Sequence, residues 1–301
     1  MKFSKKAYLS ILIFRNLSFL HLKPFHIIGI GVAFSPNLKA NINESARLAL
    51  SFEATLVLIH VGEKSAQKEK ELQEILQPFA AQNLSYELVF KTGDPVNVIL
   101  SISEEKKVDL LILGALQREN FVKYYVGSIA RKITRKAKCS VLLMIKPSVE
   151  RVPCEHIVVN GLQNQKTEQT IASAFYVGHN IGAEKISIVE EIRQQEIAVA
   201  IDDDKSLRKA NLKKERIRLR EENRIKKIVA EIPEEHIENI SIKSQPIFGK
   251  RGYSIGHYAQ VVRADLLVMN AAPKMTFWDR LFPHDIEHIL TELPTDVLII
   301  Q

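Results

Sequence analysis

Two rhythms of apolar residues alternate along this chain. Short continuous apolar runs rich in β-branched residues are separated by longer stretches in which apolar positions return every three or four residues, the pattern of a parallel sheet wrapped by helices. Up to residue 147 the spacing predicts strands at 26–32, 55–61, 86–91, 108–113 and 141–145, with helices at 39–52, 66–80, 95–106 and 127–138. The series then restarts, with strands expected at 156–160, 186–190, 239–243, 264–269 and 296–300. The two series are copies of one another. VDLLILGALQ (108–117) returns as ADLLVMNAAP (264–273), Ile133 as Ile289 and Val141-Leu142 as Val297-Leu298, all at a separation of 156. His26-Ile27 pairs with His156-Ile157 at a separation of 130, so the second copy carries an insertion of 26 residues, after Ile192 and before the strand near Ile240. Repetition of this kind fixes the architecture ahead of any propensity argument.

Each copy is expected to form a doubly wound five-stranded parallel sheet of order 3-2-1-4-5, one over residues 25–147 and one over 155–301. The last strands, 141–145 and 296–300, leave apolar edges that invite pairing. We therefore expect an internal pseudo-dimer joined through them. Residues 1–24 form an appended arm. In it Lys2, Lys5 and Lys6 precede AYLSILIF (7–14), and Arg15 ends the apolar run far short of the ~20 residues that span a bilayer.

The net charge of +7 is localised. Between Lys205 and Lys227 eleven Lys and Arg face Glu215, Glu221 and Glu222, a net of +8, and the remainder of the chain sums to −1. No Gly or Pro occurs from Lys205 to Glu231, which predicts one long helix inside the insertion. Its stripe of Leu207, Ala210, Ile217, Ile225, Ile228 and Ile232, broken at Lys214 and Glu221, should dock on the sheet and leave Arg216, Arg218 and Arg220 in solvent. Such a helix can meet nucleic acid or an anionic membrane, but with no aromatic for base stacking the plain solvated face is the preferred reading. Two cysteines, Cys139 and Cys154, make no disulfide framework and fit a reducing cytoplasm.

Ligands of open α/β sheets bind beyond the carboxyl ends of the strands where the strand order reverses. That directs attention to Val32–Pro36, after the first strand, and to Gly114 onward, after the fourth. Gly114 closes the strand and Gly127-Ser128 opens the next helix. Glycines let a backbone approach a ligand closely, and a helix N-terminus offers free N–H groups to an anion. A turn glycine and a helix cap would look the same.

The segment resembles the nucleotide-binding loop of the universal stress protein family, Gly-x2-Gly-x9-Gly-Ser/Thr. GSIARKITRKAKCSVLLMI (127–145) resembles the last helix and strand of that family, and IHV (59–61) the end of its second strand. The resemblance implies tandem universal stress protein domains. It also implies a site for ATP or a related adenine nucleotide in the first copy, formed by Ser35, Val61, Gly114, Gln117, Gly127, Ser128 and Ile129. The chain departs from the family in three places. Gln117 stands at the second motif glycine, Ala130 replaces a hydroxyl residue, and Val32-Ala33-Phe34-Ser35 holds no carboxylate. Ser35, Arg118, Lys123 and Arg131 are candidate compensating contacts. In the second copy the loop positions are Asn270, Pro273, Pro283 and His284. Proline has no N–H, so phosphate capture is expected in the first copy alone. FWDRLFPHD (277–285) reads as a packed loop or a protein-contact surface.

No GxSxG elbow, Walker lysine or metal cluster is evident. Three functions stand: a non-enzymatic stress-response or regulatory protein with a protein partner or self-association, a nucleotide-hydrolysing or phosphate-transferring enzyme, and a scaffold with vestigial sites.

Overall fold

The apolar runs form strands buried on both faces, as parallel strands must when helices cover each side. The computed structural model describes residues 25–117, 124–192, 196, 203–249, 253–271 and 289–301. The first half comprises β1 (Ile27–Val32), α1 (Leu38–Ser51), β2 (Thr55–Val61), α2 (Ala66–Ala80), β3 (Tyr86–Lys91), α3 (Pro95–Glu105) and β4 (Leu110–Gly114). A short hairpin of β5 (Leu116–Gln117) and β6 (Tyr124–Tyr125) follows, then α4 (Ser128–Lys136) and β7 (Ser140–Met144). The second half runs β8 (His156–Asn160), α5 (Thr167–Ile181), β9 (Lys185–Ile192), α6 (Asp204–Val229), α7 (Glu234–Ile237), β10 (Ser241–Phe248), α8 (Tyr253–Val261), β11 (Leu266–Asn270) and β12 (Asp296–Ile300).

Each half has the expected order, β3-β2-β1-β4-β7 and β10-β9-β8-β11-β12, and the two merge into a single ten-stranded sheet. β7 and β12 pair antiparallel, with Leu143 opposite Val297, Leu142 opposite Leu298 and Val141 opposite Ile299. Helices α1, α2, α5 and α6 cover one face and α3, α4 and α8 the other. Phe52 of α1 stacks on Tyr176 of α5 at 5.6 Å between ring centroids, a second contact between the halves. Arg47 and Asn43 of α1 hold the intervening linker by its carbonyls, Arg47 at 2.8 Å from Val149 O.

Two features differ from the sequence expectation. The repeated His-Ile dipeptide is not structurally equivalent between copies. Asp109 accepts N–H groups from His26 and Ile27 at 2.9 and 3.0 Å, whereas Asp265 accepts those of Glu155 and His156 at 2.8 and 2.9 Å. His26 thus corresponds to Glu155, because a backbone pinned to an aspartate sets the strand start and the side-chain identity does not. Between β9 and β10, where the first half has α2, the second half has the longer α6 followed by α7, with Asp203 and Ser206 forming a reciprocal cap at the start of α6. Leu207, however, is 44% exposed, since the docked part of α6 begins only at Ala210. The N-terminal arm of residues 1–24 lies outside the described residues.

Leu142 and Leu298 are buried at the junction, so Leu298→Ala should lower stability by about 2–5 kcal/mol. Because the sheet is continuous, the chain should still unfold in one transition. Coincident near- and far-ultraviolet circular dichroism curves check this, and two separated transitions would show that the halves fold independently.

Candidate functional site

In the first half β4, β1 and β2 are neighbours, which brings Gly114, Val32–Ser35 and Val61 to the same edge of the sheet. α4 leads back to the start of β7, so its N-terminus belongs to this carboxyl edge as well. Gly127 is its N-cap, with φ −59° and ψ 161°, and Ser128 and Ile129 are its first two residues. Ser128 is therefore not the cap. The backbone N–H groups of a first helical turn have no partner within the helix. Ile129 is 47% exposed at this end. Ser35 is exposed, and its carbonyl accepts Leu38 N–H at 2.9 Å as α1 begins. Gln117 pairs with Tyr124 in the β5–β6 hairpin. Arg131 points elsewhere, donating to Leu290 O at 3.0 Å in the other half. Arg118 and Lys123 lie outside the described residues.

Where a carboxylate is missing after β1, an edge-to-face cluster of aromatic rings stands instead. The buried His60 ring lies between Phe34 and Phe90, at 4.9 and 5.6 Å. Its Nδ1 is 3.1 Å from Val32 O and its Nε2 is 3.3 Å from Lys68 Nζ. Lys68 has no acceptor, so these partners assign the Nδ1–H tautomer. Lys68 Nζ also lies 5.6 Å from the centre of the Phe34 ring. The sequence reading passed over His60, although a histidine inside the apolar run TLVLIHV was visible. It also passed over Asn41 of α1, whose Oδ1 is buried beside Gly114 without a hydrogen-bond partner among the described residues.

The same edge of the second half is filled from within. Backbone register places Glu190 where the first half has His60 and Gly161 where it has Val32. Arg224 of α6 donates to Gly161 O, to Glu190 Oε1 at 3.1 Å and to Glu221 Oε2 at 2.8 Å. Burial pushes the Glu190 carboxyl up to about 7 against the pull of Arg224, and one of its oxygens has no partner among the described residues. For Glu221 burial acts upward too, but hydrogen bonds from Arg224 and Arg220 prevail and hold it below the usual carboxylate range. Glu191, at the Val61 position, accepts Ile255 N–H at 2.8 Å at the start of α8. Asn160 and Asn270, at the ends of β8 and β11, approach each other at 3.4 Å. The carboxyl groups of Glu190 and Glu191 and the ties of Arg224 fill this edge and oppose an anionic ligand, while the counterpart of the α4 start lies outside the described residues.

Burial raises Cys139 to about 11 and Cys154 further, which leaves both thiols protonated at neutral pH. Among the described residues no group of His, Cys, Asp and Glu could hold a metal, and no helix is long and apolar enough to cross a membrane. Pro273, Pro283, His284 and the FWDRLFPHD segment lie outside the described residues.

Residues 24–144 match the universal stress protein family model. The chain is 34% identical over 58 residues to a universal stress protein of Methanocaldococcus jannaschii and 31% identical over 62 residues to one of Methanothermobacter thermautotrophicus. These matches take in 19% and 21% of this chain and span only 34% and 42% of the relatives' own lengths. Among solved structures, a universal stress protein of Archaeoglobus fulgidus aligns with 92% of this chain and 98% of its own at a TM-score of 0.64 and 16% identity. A protein of unknown function from Pseudomonas aeruginosa aligns with 92% of this chain and 93% of its own at 0.68 and 15%. At such identities the likeness is one of fold.

The plug around Arg224 makes stability depend on pH. Glu190 binds its proton more tightly in the folded chain than at its ordinary value of 4.5, so its contribution is present in acid and lost as pH rises toward about 7. Asp296, also raised to about 7 by burial, adds a second loss over an overlapping range. Glu190→Gln should remove the first and leave the second, which lessens the fall in stability between about pH 5 and about pH 8 by roughly 2–3 kcal/mol. Urea midpoints of the two proteins at both pH values measure it, and an unchanged slope would refute the burial of a protonated Glu190.

Proposed function

We propose, from a universal stress protein domain over residues 24–144 and that fold repeated in one sheet, that the chain is a universal stress protein, a non-enzymatic regulatory protein of the cytoplasm holding one adenine nucleotide, in its first half. The observation that carries the reading concerns two glycines. Gly114 does not lie in the left-handed region, and a Cβ there would meet nothing nearer than Asn41 Oδ1 at 3.6 Å, an ordinary contact. Gly127, at φ −59° and ψ 161°, has a backbone that any residue adopts. Neither backbone conformation requires glycine, and at Gly114 the surrounding space does not either. Close approach of the backbone to a ligand supplies a reason for both.

In this reading the N–H groups of Gly127, Ser128 and Ile129 and the dipole of α4 face the phosphates, Gly114 and Gln117 line the loop beside them, and the Val61 backbone meets the base. Ser35 takes up the ribose in place of the absent carboxylate. The second half, plugged by Arg224 and carrying Glu190 and Glu191, serves as a structural and partner-facing half. Among the described residues no nucleophile and base are set together at the edge, and in this reading the ligand is held and not consumed.

Isothermal titration of the full chain with ATP should give one site per chain, with no phosphate released over the course of the titration. Proline fits the φ of residue 127 but lacks the N–H, so Gly127→Pro should weaken binding at least about tenfold and leave the fold intact. Two sites per chain, or binding indifferent to this variant, would overturn the assignment. Phosphate release would identify an enzyme. No binding at all would make the chain a scaffold, a reading that the Phe34, His60 and Phe90 cluster at the end of β1 also favours.

A further inference from the structure

One face of α6 serves neither the sheet nor the Arg224 plug. At about 100° per residue, the buried Ala210, Ile217, Glu221 and Ile225 mark the docked side. Opposite them stand Leu212 and Leu219, 60% and 49% exposed and almost in line along the helix. Within about 90° of these leucines lie all the cations of the segment except Lys213, Lys214, Arg218 and Arg224, and every one of them is exposed. Of the carboxylates, Glu221 is buried against Arg224 and Arg220, Glu222 sits on one flank, where it pairs with Arg218 at 2.8 Å, and Glu215 stands beside the leucines.

A face built only for solubility intermixes both signs and exposes few large apolar residues. Here seven cations lie on the side of the leucines, with Glu215 beside them and Glu222 on the flank. That is the composition of a helix lying in the plane of an anionic bilayer, where leucines enter the acyl boundary and Lys and Arg extend their stems to the headgroups. Nucleic acid would account for the cations but not for the leucines, and the face has no aromatic for base stacking.

We propose that the outer face of α6 docks the protein on an anionic lipid surface, with Leu212 and Leu219 inserted. The helix has 26 residues and so presents a face of about 39 Å, and its ties to Glu190 and Gly161 hold that face rigidly on the sheet. The assignment does not depend on the nucleotide site.

Flotation of the full chain with vesicles tests it. The protein should float with an equal mixture of phosphatidylcholine and phosphatidylglycerol, stay behind with phosphatidylcholine alone, and be released by salt. Leu212→Ser with Leu219→Ser should reduce partition by roughly tenfold or more. Arg208→Gln with Arg216→Gln should reduce it too, by roughly fivefold per charge removed. All four positions are exposed, so thermal midpoints should stay close to that of the parent, and each pair checks the other. Failure to float with the mixed vesicles, or full retention by the leucine variant, would overturn the proposal. So would tight binding of duplex DNA or RNA that ignores the leucines, which would give the face to nucleic acid.

Discussion

Everything in this molecule hangs on the pairing of β7 with β12. A doubly wound sheet that ends on a fully apolar strand has an edge it cannot leave in water, because the unpaired N–H and C=O groups and both side-chain faces need cover. Val141, Leu143, Val297 and Ile299 are all buried there. Since the pairing is antiparallel, the carboxyl ends of the two halves face opposite edges of the common sheet. The two crevices therefore open away from each other, and neither can complete the other.

The halves solve one local problem in two ways. At the end of the first strand a backbone carbonyl needs a donor. In the first half His60 reaches Val32 O from the adjacent strand, and Lys68 of α2 holds the ring. In the second half the position of that histidine is Glu190, an acceptor, and the donor comes from Arg224 of α6. Once α6 is so engaged its arginine occupies the crevice, and the carboxylates that balance it repel phosphate. Losing one partner of such a buried pair is costly even where the pair itself adds little net stability.

Much of this was legible in the sequence, for identifiable reasons. Parallel strands buried on both faces write long apolar runs, and duplication wrote them twice, so strand order and junction followed. The β5–β6 hairpin could not be seen, because strands of two residues carry no periodicity. Arg224 was hidden among eleven cations of similar spelling. The break in the apolar stripe at Glu221 was its trace: a charge at a core position implies a buried partner, and Arg224 three residues on supplies it. The misplaced His-Ile equivalence shows the opposite hazard, an identical dipeptide whose backbone is held one residue out of step. For the candidate site, Gly114 and Gly127 drew notice as glycines after a strand and before a helix, and Val61 only through the family resemblance. Asn41 was missed because it acts across the fold from another helix.

Covalent linkage of the halves changes what evolution can do with the junction. Two separate chains meeting edge to edge associate only as far as their concentration allows, whereas strands on one chain face each other at a fixed effective concentration. A self-associating subunit also shows every substitution twice, once on each side of its axis. Here β7 and β12 are different sequences, so a residue on one side can be tuned without disturbing its counterpart, as Asp296, bonded to Ile145 N at 2.8 Å, and its counterpart Ser140 illustrate. Freed from symmetry, one copy can keep a loop with two glycines that its backbone conformation does not require while the other gives its crevice to an arginine.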